Sequence, residues 1–396
     1  ASLYSERIYL RPIEPDIEPI TFEALQKFAQ GFEVFLTQNG VGEGDSCAVI
    51  SHNSTLLVLQ FLASLATGRT FVPINPNSSV NEINFILEDS KPKALIYSGS
   101  LEEKVDSIHD WCRLVEISSD AQFIERIFDL GQSTSKLSAS PTSDSIGELV
   151  YTSGTTGRPK GVQLTHRNLV TDVFGLGQIF DFDESDVFLT VAPLFHNSGQ
   201  ILTTLAPLLC GGSTTAIRSD MGFINFWHYV DQFKPTWTLV MPAHVALMLE
   251  RAEPPAHKGL KGILCGGAPL PKDTQLAFEE KFSAPLYPNY GLTESTSVAT
   301  CVRPDDHARL SGTAGKPLAI NEVKIFHKEA EVPTGVVGEV RIRGNNVCPG
   351  YLNLPKLTAE KIRQGWLHTG DLGYFDDNGA LQLIDRVDNM IIVGGE

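Results

Sequence analysis

The sequence has neither long apolar runs nor closely spaced cysteines. No apolar run in the 396 residues reaches the roughly 18 that a membrane-spanning helix needs, so we expect no membrane span. No two of the six cysteines lie within four positions of each other, which excludes the C-x-x-C spacing of zinc sites. So few cysteines are typical of a reducing, cytoplasmic setting. We interpret all six as small buried apolar side chains, namely Cys47, Cys112, Cys210, Cys265, Cys301 and Cys348.

Positive charge is also scarce. The chain has 31 Lys and Arg against 47 Asp and Glu, and its formal net charge is −16. This balance disfavours a nucleic-acid partner, which needs a basic face. It does not exclude a nucleotide ligand, because a few local cations and backbone N–H groups can hold phosphates. The 42% apolar content and the length are sufficient for more than one core.

Apolar spacing in the first hundred residues predicts alternating helices and strands. In residues 21–36 apolar side chains recur every three or four positions, which predicts a helix capped by Thr21. The following stretches predict a buried strand (SCAVI), an apolar helix closed by Gly68 (NSTLLVLQFLASLATG) and a second strand (TFVPI). This alternation predicts an α/β fold with mostly parallel strands.

The composition changes twice along the chain. Residues 131–147 are rich in serine and threonine and have no apolar period, which predicts a surface connector. From about Gly312, alternating strand patterns and turn glycines replace long helices. We therefore predict an α/β part over residues 1–311, a β-rich subdomain over residues 312–384, and a short segment over residues 385–396.

The stretch YTSGTTGRPKGVQLTH, residues 151–166, has almost no apolar side chain and cannot fill a core. Glycine-rich turns let backbone N–H groups converge on phosphate oxygens, and Arg158 and Lys160 add positive charge. It is not a Walker A loop, because Lys160 is followed by Gly161 instead of serine or threonine. We therefore predict a nucleotide-phosphate loop of another class, followed by a helix with a Thr165 cap.

Five motifs occur in the order in which one known family carries them, and the first of these motifs is this loop. TSGTTGRPKGV closely resembles the phosphate loop of the acyl-adenylate-forming superfamily, which includes acyl-CoA synthetases, peptide-synthetase adenylation domains and beetle luciferases. Four further stretches are similar to its adenine, Thr–Glu, ribose and hinge motifs, in that order: GGAPL, YGLTES, WLHTGDLG and DRVDNMIIVGGE. The resemblance spans essentially the whole chain. It implies two packed α/β subdomains with mostly parallel sheets and a smaller β-barrel-like subdomain.

The resemblance also implies a site for ATP and Mg²⁺. By this resemblance Glu294 holds Mg²⁺ and Thr293 contacts the α-phosphate. Asp371 accepts hydrogen bonds from both ribose hydroxyls, as an acidic residue does in dinucleotide sites, and Arg386 also reaches the ribose. The residues implied at the β- and γ-phosphates are Thr152, Ser153, Gly154, Thr155, Thr156, Gly157 and Lys160.

The implied adenine pocket departs from the family pattern at one position. Many relatives carry Asn or Gln two residues before the motif tyrosine, to meet the adenine amino group. Pro288 stands there in this chain and has no side-chain donor or acceptor. Adenine recognition must therefore use Asn289 or the backbone. The residues implied at the adenine are Gly267, Ala268, Pro269, Asn289, Tyr290, which would stack on the base, and Gly291.

His196, in PLFHNSG, matches a family position at the gate between the acyl pocket and the nucleotide. A buried structural histidine is the alternative interpretation. Adenylation domains for amino acids usually carry an aspartate in this segment to pair with the substrate ammonium. The segment has no carboxylate here, so we expect an acid with a neutral acyl or aryl tail.

The implied reaction is the attack of a carboxylate on the α-phosphorus of ATP, which gives an acyl-adenylate and pyrophosphate. Charge neutralisation and positioning should dominate its catalysis. CoA is the expected acceptor in the second half-reaction. Two alternatives stay open: loading onto the phosphopantetheine of an acyl carrier protein, and a non-catalytic acyl- or nucleotide-binding homologue.

Asp388 falls on the family's hinge position. Beyond this hinge, relatives carry a small C-terminal domain with a lysine that bridges the forming acyl-adenylate. The sequence stops at Glu396, so we expect that lid domain to be absent. Such a chain is expected to bind ATP or acyl-AMP, to turn over slowly and to fail at thioester formation.

Overall fold

The computed structural model describes residues 3–134, 136–152, 158–218, 225–306 and 309–386. Its strands are β1 (Ile8–Leu10), β2 (Ile20–Thr21), β3 (Ser46–Ile50), β4 (Thr70–Ile74), β5 (Ala94–Ser98), β6 (Arg113–Ile117), β7 (Ile146–Thr152), β8 (Lys160–Thr165), β9 (Val187–Thr190), β10 (Ser213–Ala216), β11 (Trp237–Val240), β12 (Gly262–Cys265), β13 (Leu286–Tyr290), β14 (Thr300–Cys301), β15 (Lys316–Pro317), β16 (Asn321–His327), β17 (Ala330–Glu331), β18 (Gly338–Gly344), β19 (Gly350–Tyr351), β20 (Ile362–Arg363), β21 (Trp366–Phe375) and β22 (Leu381–Arg386).

The α-helices of the described residues are α1 (Phe22–Gln38), α2 (Thr55–Ala66), α3 (Val80–Ser90), α4 (Glu102–Val105), α5 (Asp120–Gly131), α6 (His166–Phe180), α7 (Asn197–Gln200), α8 (Ala206–Cys210), α9 (Phe226–Phe233), α10 (Pro242–Arg251), α11 (Lys272–Phe282) and α12 (Pro355–Lys361). Short 3₁₀ turns cover Gly99–Leu101 and Thr293–Ser295, and a π-helical turn covers Ile201–Leu205.

The first sheet has the order β19-β8-β7-β4-β3-β5-β6 among the described strands. Its centre and one edge are parallel, from β7 through β4, β3 and β5 to β6. β7 and β8 pair in antiparallel fashion, with Thr152 opposite Lys160. The two ends of the predicted phosphate loop therefore stand side by side at one end of this sheet.

The second sheet has the order β15-β14-β13-β12-β11-β9-β10-β1-β2 within the same residue ranges. The run from β13 to β1 is parallel, and β2, β14 and β15 add antiparallel edges. The third sheet is antiparallel, with β17, β16, β18, β21 and β20 in that order and β22 paired with β21. This architecture confirms the predicted α/β class with mostly parallel sheets and an added β-rich unit.

The third sheet comes from residues 321–386, close to the predicted β-rich segment. Two strands of that segment belong elsewhere: β15 extends the second sheet, and β19 pairs with β8 of the first sheet. The subdomain boundaries at residues 311 and 384 stay a prediction, because these two strands connect the segment to both α/β sheets.

Two helix starts were predicted from their caps, and both are present. The Thr21 side chain accepts a hydrogen bond from the N–H of Ala24 at the start of α1. Thr165 and Asn168 form a reciprocal capping box at the start of α6. A cap of this kind stabilises a helix by about 1 kcal/mol, because it satisfies N–H groups that have no partner inside the helix.

Helix α2 is buried on all sides. Every residue from 55 to 65 is buried, and the helix contacts β4 and β7 of the first sheet and β10 of the second. A helix that is apolar all round needs such an enclosed position. It therefore forms part of the layer in which the two sheets share one hydrophobic core.

Two expectations from composition can be compared with the structure. All six cysteines are free; four are buried as predicted, whereas Cys112 and Cys210 are only half-buried, so the prediction is wrong for these two. Across the described ranges, no helix combines the length and the apolar character that crossing a bilayer requires.

The first sheet carries one fully buried carboxyl group, that of Glu148 on β7. Neither of its carboxyl oxygens has a hydrogen-bond partner among the described residues. Desolvation by burial raises the pKa of Glu148 to about 8, and the nearby Gln200 side chain opposes this shift only in part. The group is therefore mostly protonated at neutral pH.

We predict that Glu148→Gln becomes increasingly stabilising, relative to the wild type, as the pH rises. The folded state keeps this proton up to about pH 8, whereas an unfolded glutamate loses it near pH 4.3. Between these values the folded state binds more protons, so the wild-type free energy of unfolding falls by up to about 1.4 kcal/mol per pH unit. The glutamine does not titrate.

Thermal melts of both proteins between about pH 5 and about pH 8 test this linkage prediction. The exposed Glu125 of α5 supplies the control, Glu125→Gln, for which the difference from the wild type should stay constant. A melting-temperature difference for Glu148→Gln that does not change with pH would contradict the prediction.

Candidate nucleotide site

A cleft of about 370 Å³ lies where loops of the second sheet meet the third sheet. Residues 267–269 follow the carboxyl end of β12, and residues 291–292 follow that of β13. Asp371 of β21 and residues 383–386 of β22 line it from the third sheet. Ligands of parallel α/β sheets bind outside the carboxyl ends of the strands. This cleft is therefore the candidate ligand site.

Three predicted nucleotide residues contact one another at this cleft. The Tyr290 hydroxyl donates a hydrogen bond of 2.7 Å to Oδ2 of Asp371. The Arg386 guanidinium lies 3.4 Å from Oδ1 of the same carboxylate, measured from Nε, and the two residues are cross-strand neighbours on β22 and β21. Burial raises the pKa of Asp371, and the Tyr290 hydrogen bond and Arg386 oppose that shift.

Gly266 and the side-chain amide of Asn289 lie close together in the region predicted to contact adenine. A Cβ atom on Gly266 would lie 2.4 Å from Oδ1 of Asn289, so the Asn289 amide occupies the space that a larger residue would need. Gly267 has a φ of +85°, a conformation that favours glycine. Asn289 itself lines the cleft. A role of Asn289 in adenine recognition, in place of a side chain at Pro288, stays a prediction.

The Glu294 carboxylate lies in the 3₁₀ turn two residues beyond the cleft-lining Leu292. Its Oε1 accepts a 2.7 Å hydrogen bond from the hydroxyl of Tyr351, which is buried. Its backbone carbonyl accepts one from the N–H of Cys348, at 2.8 Å. The negative charge of Glu294 also contributes to the raised pKa of Asp371, so the two carboxylates are electrostatic neighbours.

A strained backbone turn follows Glu294. Thr296 has a φ of 68° and a ψ of −63°, and the N–H of Ser297 donates to the carbonyl of Ser295 at 2.9 Å. This is a γ-turn with positive φ, which costs a β-branched residue on the order of 1–3 kcal/mol. The Thr296 hydroxyl donates to the carbonyl of Asn346 at 2.6 Å and holds the turn in place.

A network of buried polar side chains also stabilises this turn. Asn346 donates through Nδ2 to the Ser295 carbonyl at 3.2 Å. Asp172 of α6 accepts from the N–H of Val298 at 3.1 Å, and it is fully buried. Because α6 directly follows β8, this network connects the Glu294 turn to the strand that carries Lys160.

Lys160 and Thr152 lie at the two ends of the predicted phosphate loop. Tyr351 pairs with Val162 of β8, and the N–H of Leu352 donates to the carbonyl of Gly161 at 2.8 Å. The residue that holds Glu294 therefore stands beside the start of β8, where Lys160 is half-buried. Ser153, Gly154, Thr155, Thr156, Gly157 and the hinge residue Asp388 lie outside the described residues.

His196 is not among the residues that line the cleft. It follows β9, a neighbour of β11, which in turn pairs with β12. His196 therefore lies beyond the carboxyl ends of the parallel strands of the second sheet, as the cleft does. Its ring is tilted by 53° against that of Phe195, at a centroid distance of 4.6 Å. His196 is exposed rather than buried, but the protein around the ring desolvates it enough to lower its pKa.

The structure adds supporting residues that the sequence did not indicate. Tyr351, Asp172 and Asn346 contact Glu294 or its turn and belong to none of the recognised motifs. The partners of Tyr351 and Asn346 are far away in sequence, so local patterns carry no signal for these two. Asp172 could have been noticed, because a carboxylate inside an apolar helix needs a buried hydrogen-bond partner.

We predict that Tyr351→Phe lowers the rate of acid activation about tenfold, because a hydrogen bond to a charged group is worth about 1.5–3 kcal/mol. The variant keeps the ring and removes only the hydroxyl that orients Glu294. AMP affinity, measured by calorimetry, should change less than about twofold, since neither residue lines the candidate cleft. Tyr229→Phe on α9 is the matched control. An unchanged rate in Tyr351→Phe would show that Glu294 does not need this partner.

Comparisons with known proteins agree with the fold. The AMP-binding enzyme family model matches residues 4–352. A probable CoA ligase of Humulus lupulus is 31% identical in a 394-residue alignment that covers 95% of this chain and 74% of that protein. The anthranilate CoA ligase AuaEII in complex with anthranoyl-AMP has a TM-score of 0.90 at 25% identity, covering 100% of this chain and 77% of its own.

A second solved structure has a bound nucleotide. The o-succinylbenzoate CoA synthetase MenE of Bacillus subtilis, in complex with ATP and magnesium ion, has a TM-score of 0.86 at 28% identity and covers 100% of this chain and 80% of its own. Fold and cleft together define an adenylate-forming α/β protein. The chain belongs to the AMP-binding enzyme family, which confirms the family predicted from the five motifs.

Proposed function

We propose that this protein activates a carboxylic acid with ATP, forming an acyl-adenylate and pyrophosphate, and that thioester formation with CoA follows in the full-length protein. One observation carries the proposal: in a chain of the AMP-binding enzyme family, Tyr290, Asp371 and Arg386 meet at the rim of a single cleft, with Glu294 beside it. The relatives with CoA ligase names support CoA as the acceptor.

The residues of the cleft fit an adenosine phosphate. The ring of Tyr290 and residues 267–269 offer apolar surface to a flat base, and Asn289 offers an amide donor and acceptor. An ionised carboxylate has about four acceptor positions, so Asp371 can hold two ribose hydroxyls and keep its bond from Tyr290. We propose that Thr293, next to the cleft-lining Leu292, meets the α-phosphate and that Arg386 meets the ribose.

Glu294 is suited to Mg²⁺. Its Oε1 is oriented by Tyr351, and Oε2 takes no part in that bond. Among the described residues no cluster of three or more His, Cys, Asp or Glu side chains forms. One carboxylate agrees with the preference of Mg²⁺ for a few protein oxygens together with phosphate and water. When bound, the ion supplies positive charge that neutralises the phosphates.

In the first step, a carboxylate oxygen of the acid bonds to the α-phosphorus, and the bond to the bridging oxygen breaks. Pyrophosphate leaves with that electron pair. Both reactants are anions, so positioning and charge neutralisation are the main contributions of the protein. We propose that Lys160 and the phosphate loop supply donors to the β- and γ-phosphates, and that His196 lies on the acyl side.

In the second step, the thiol of CoA loses its proton, its sulfur bonds to the acyl carbon, and AMP leaves. We propose a cytoplasmic setting for this reaction. Transfer to the phosphopantetheine of a carrier protein uses the same chemistry, so the acceptor is decided by experiment. We also propose that Asp388 is a hinge residue and that the chain divides near residues 311 and 384.

ATP–pyrophosphate exchange across a panel of acids tests the proposal. We expect exchange with at least one acid that has a neutral acyl or aryl tail, and thioester formation with CoA in the full-length protein. Transfer to a carrier protein alone would replace CoA as the acceptor. Binding of AMP without exchange for any acid would contradict the enzymatic function and indicate a binding protein.

A further inference from the structure

The loop before His196 is held by a side chain from the other sheet. Asn53 follows β3 of the first sheet and is buried. Its Oδ1 accepts from the N–H of Leu194 at 2.8 Å, and its Nδ2 donates to the carbonyl of Ala192, also at 2.8 Å. Nδ2 also lies 3.2 Å from the carbonyl of Ile217. One amide thus fixes two backbone groups of the loop that presents His196.

A second amide holds the same loop from the other side. Gln200, at the end of α7, donates through Nε2 to the carbonyl of Leu194 at 2.7 Å, and it is fully buried. Both backbone groups of Leu194, two residues before His196, are therefore bound by buried side chains. These contacts define the backbone position without depending on the shape of the Leu194 side chain.

Glu148 of β7 lies near the Gln200 carboxamide. The last residue of β7 is Thr152, at the start of the predicted phosphate loop. Beyond Gln200 the chain forms the π-helical turn Ile201–Leu205. The carbonyl of Thr203 accepts from the Thr214 hydroxyl at 2.6 Å, and that of Thr204 accepts from the Tyr9 hydroxyl at 2.8 Å. The segment after His196 is therefore fixed at its far end as well.

So many buried polar contacts on one short loop need an explanation, because apolar packing alone would cover it at lower desolvation cost. The contacts come from both sheets, and they converge on the residues immediately before His196. A purely structural tie between the sheets could be made anywhere along their shared core.

We propose that Asn53 and Gln200 form a loop clamp that positions His196 for the incoming acid, and thereby sets the Michaelis constant of the acid. Both are positioning residues that act through Leu194 and His196. The inference rests on the proposed acid activation and adds the residues that govern recognition of the acid.

Steady-state ATP–pyrophosphate exchange with Gln200→Met tests the clamp. Methionine fills a similar volume and cannot hydrogen-bond to Leu194. We expect KM for the acid to rise about tenfold, the equivalent of one lost hydrogen bond, while KM for ATP stays within about twofold. Asn53→Ala should do the same or more. Glu148→Gln, which mimics the protonated carboxyl, should leave both constants within about twofold.

A double-mutant cycle separates positioning from general packing. If Gln200 acts through His196, then Gln200→Met added to His196→Ala should raise KM for the acid little further. Additive effects, or equal changes in KM for acid and for ATP, would overturn the clamp even if Asn53→Ala fails to fold. Wild-type protein that shows no exchange would instead overturn the proposed function together with the clamp.

Discussion

Asp371→Ala is expected to weaken AMP binding at least about 100-fold, because it removes an ionised acceptor of two ribose hydroxyls. Each of these charge-assisted hydrogen bonds is worth about 1.5–3 kcal/mol. Asp371 is more suitable for this role than a surface aspartate. It is half-buried, it is oriented by the Tyr290 hydroxyl at 2.7 Å, and the Arg386 guanidinium lies beside it.

Isothermal titration calorimetry with AMP measures this loss. Asp371→Asn should be intermediate, since it keeps one acceptor and loses the charge. Asp377→Ala is the matched control, because Asp377 is an exposed aspartate in the turn after the same strand. If Asp371→Ala and Asp377→Ala bind AMP equally well, the ribose does not bind at Asp371.

Glu294→Gln is expected to lower ATP–pyrophosphate exchange by about 100- to 1,000-fold, the range typical for losing one electrostatic contribution to phosphoryl transfer. The amide keeps the size of the side chain and its acceptor for Tyr351, but it loses the negative charge that attracts Mg²⁺. AMP needs no metal ion in this account, so its affinity should change little.

Exchange rates measured over a magnesium titration distinguish this role from a structural one. Weakened metal binding should shift the midpoint of the titration to higher Mg²⁺ concentration as well as lower the maximal rate. Glu125→Gln on α5 serves as the control for a glutamate outside the cleft. A Glu294→Gln variant with the wild-type midpoint and rate would remove Glu294 from the metal site.

The sequence predicted the elements whose signals are local. The Thr21 and Thr165 caps, the apolar period of α1 and the glycine-rich loop between β7 and β8 each depend on residues a few positions apart. The five motifs also identified Tyr290 and Asp371, which the structure places in contact. Strong local patterns were enough for these features.

Long-range contacts explain what the sequence did not predict. Nothing in the dipeptide Gly350–Tyr351 indicates that it pairs with β8 and brings a hydroxyl to Glu294. The positive φ of Thr296 arises because Asn346 and Gly291 fix the turn around it; a Cβ on Gly291 would lie 2.0 Å from the Ser297 carbonyl oxygen. Cys112 and Cys210 are half-buried for a similar reason, because their exposure depends on how elements pack.

The buried polar residues share one arrangement. Asp172 and Asn346 fix the turn of Glu294, whereas Asn53 and Gln200 fix the loop of His196. Asp172, Asn346 and Asn53 each bind the backbone of another structural layer, whereas Gln200 binds the backbone of its own loop. Backbone positions defined in this way are less sensitive to substitutions in the surrounding core than positions defined by shape alone.

The most direct test of the central claim is a crystal structure of the protein soaked with AMP. We expect the base to lie against Tyr290 and residues 267–269, and both ribose hydroxyls to lie within hydrogen-bond distance of the Asp371 carboxylate. AMP bound at any other place, or an empty cleft at a concentration that saturates binding in solution, would contradict it.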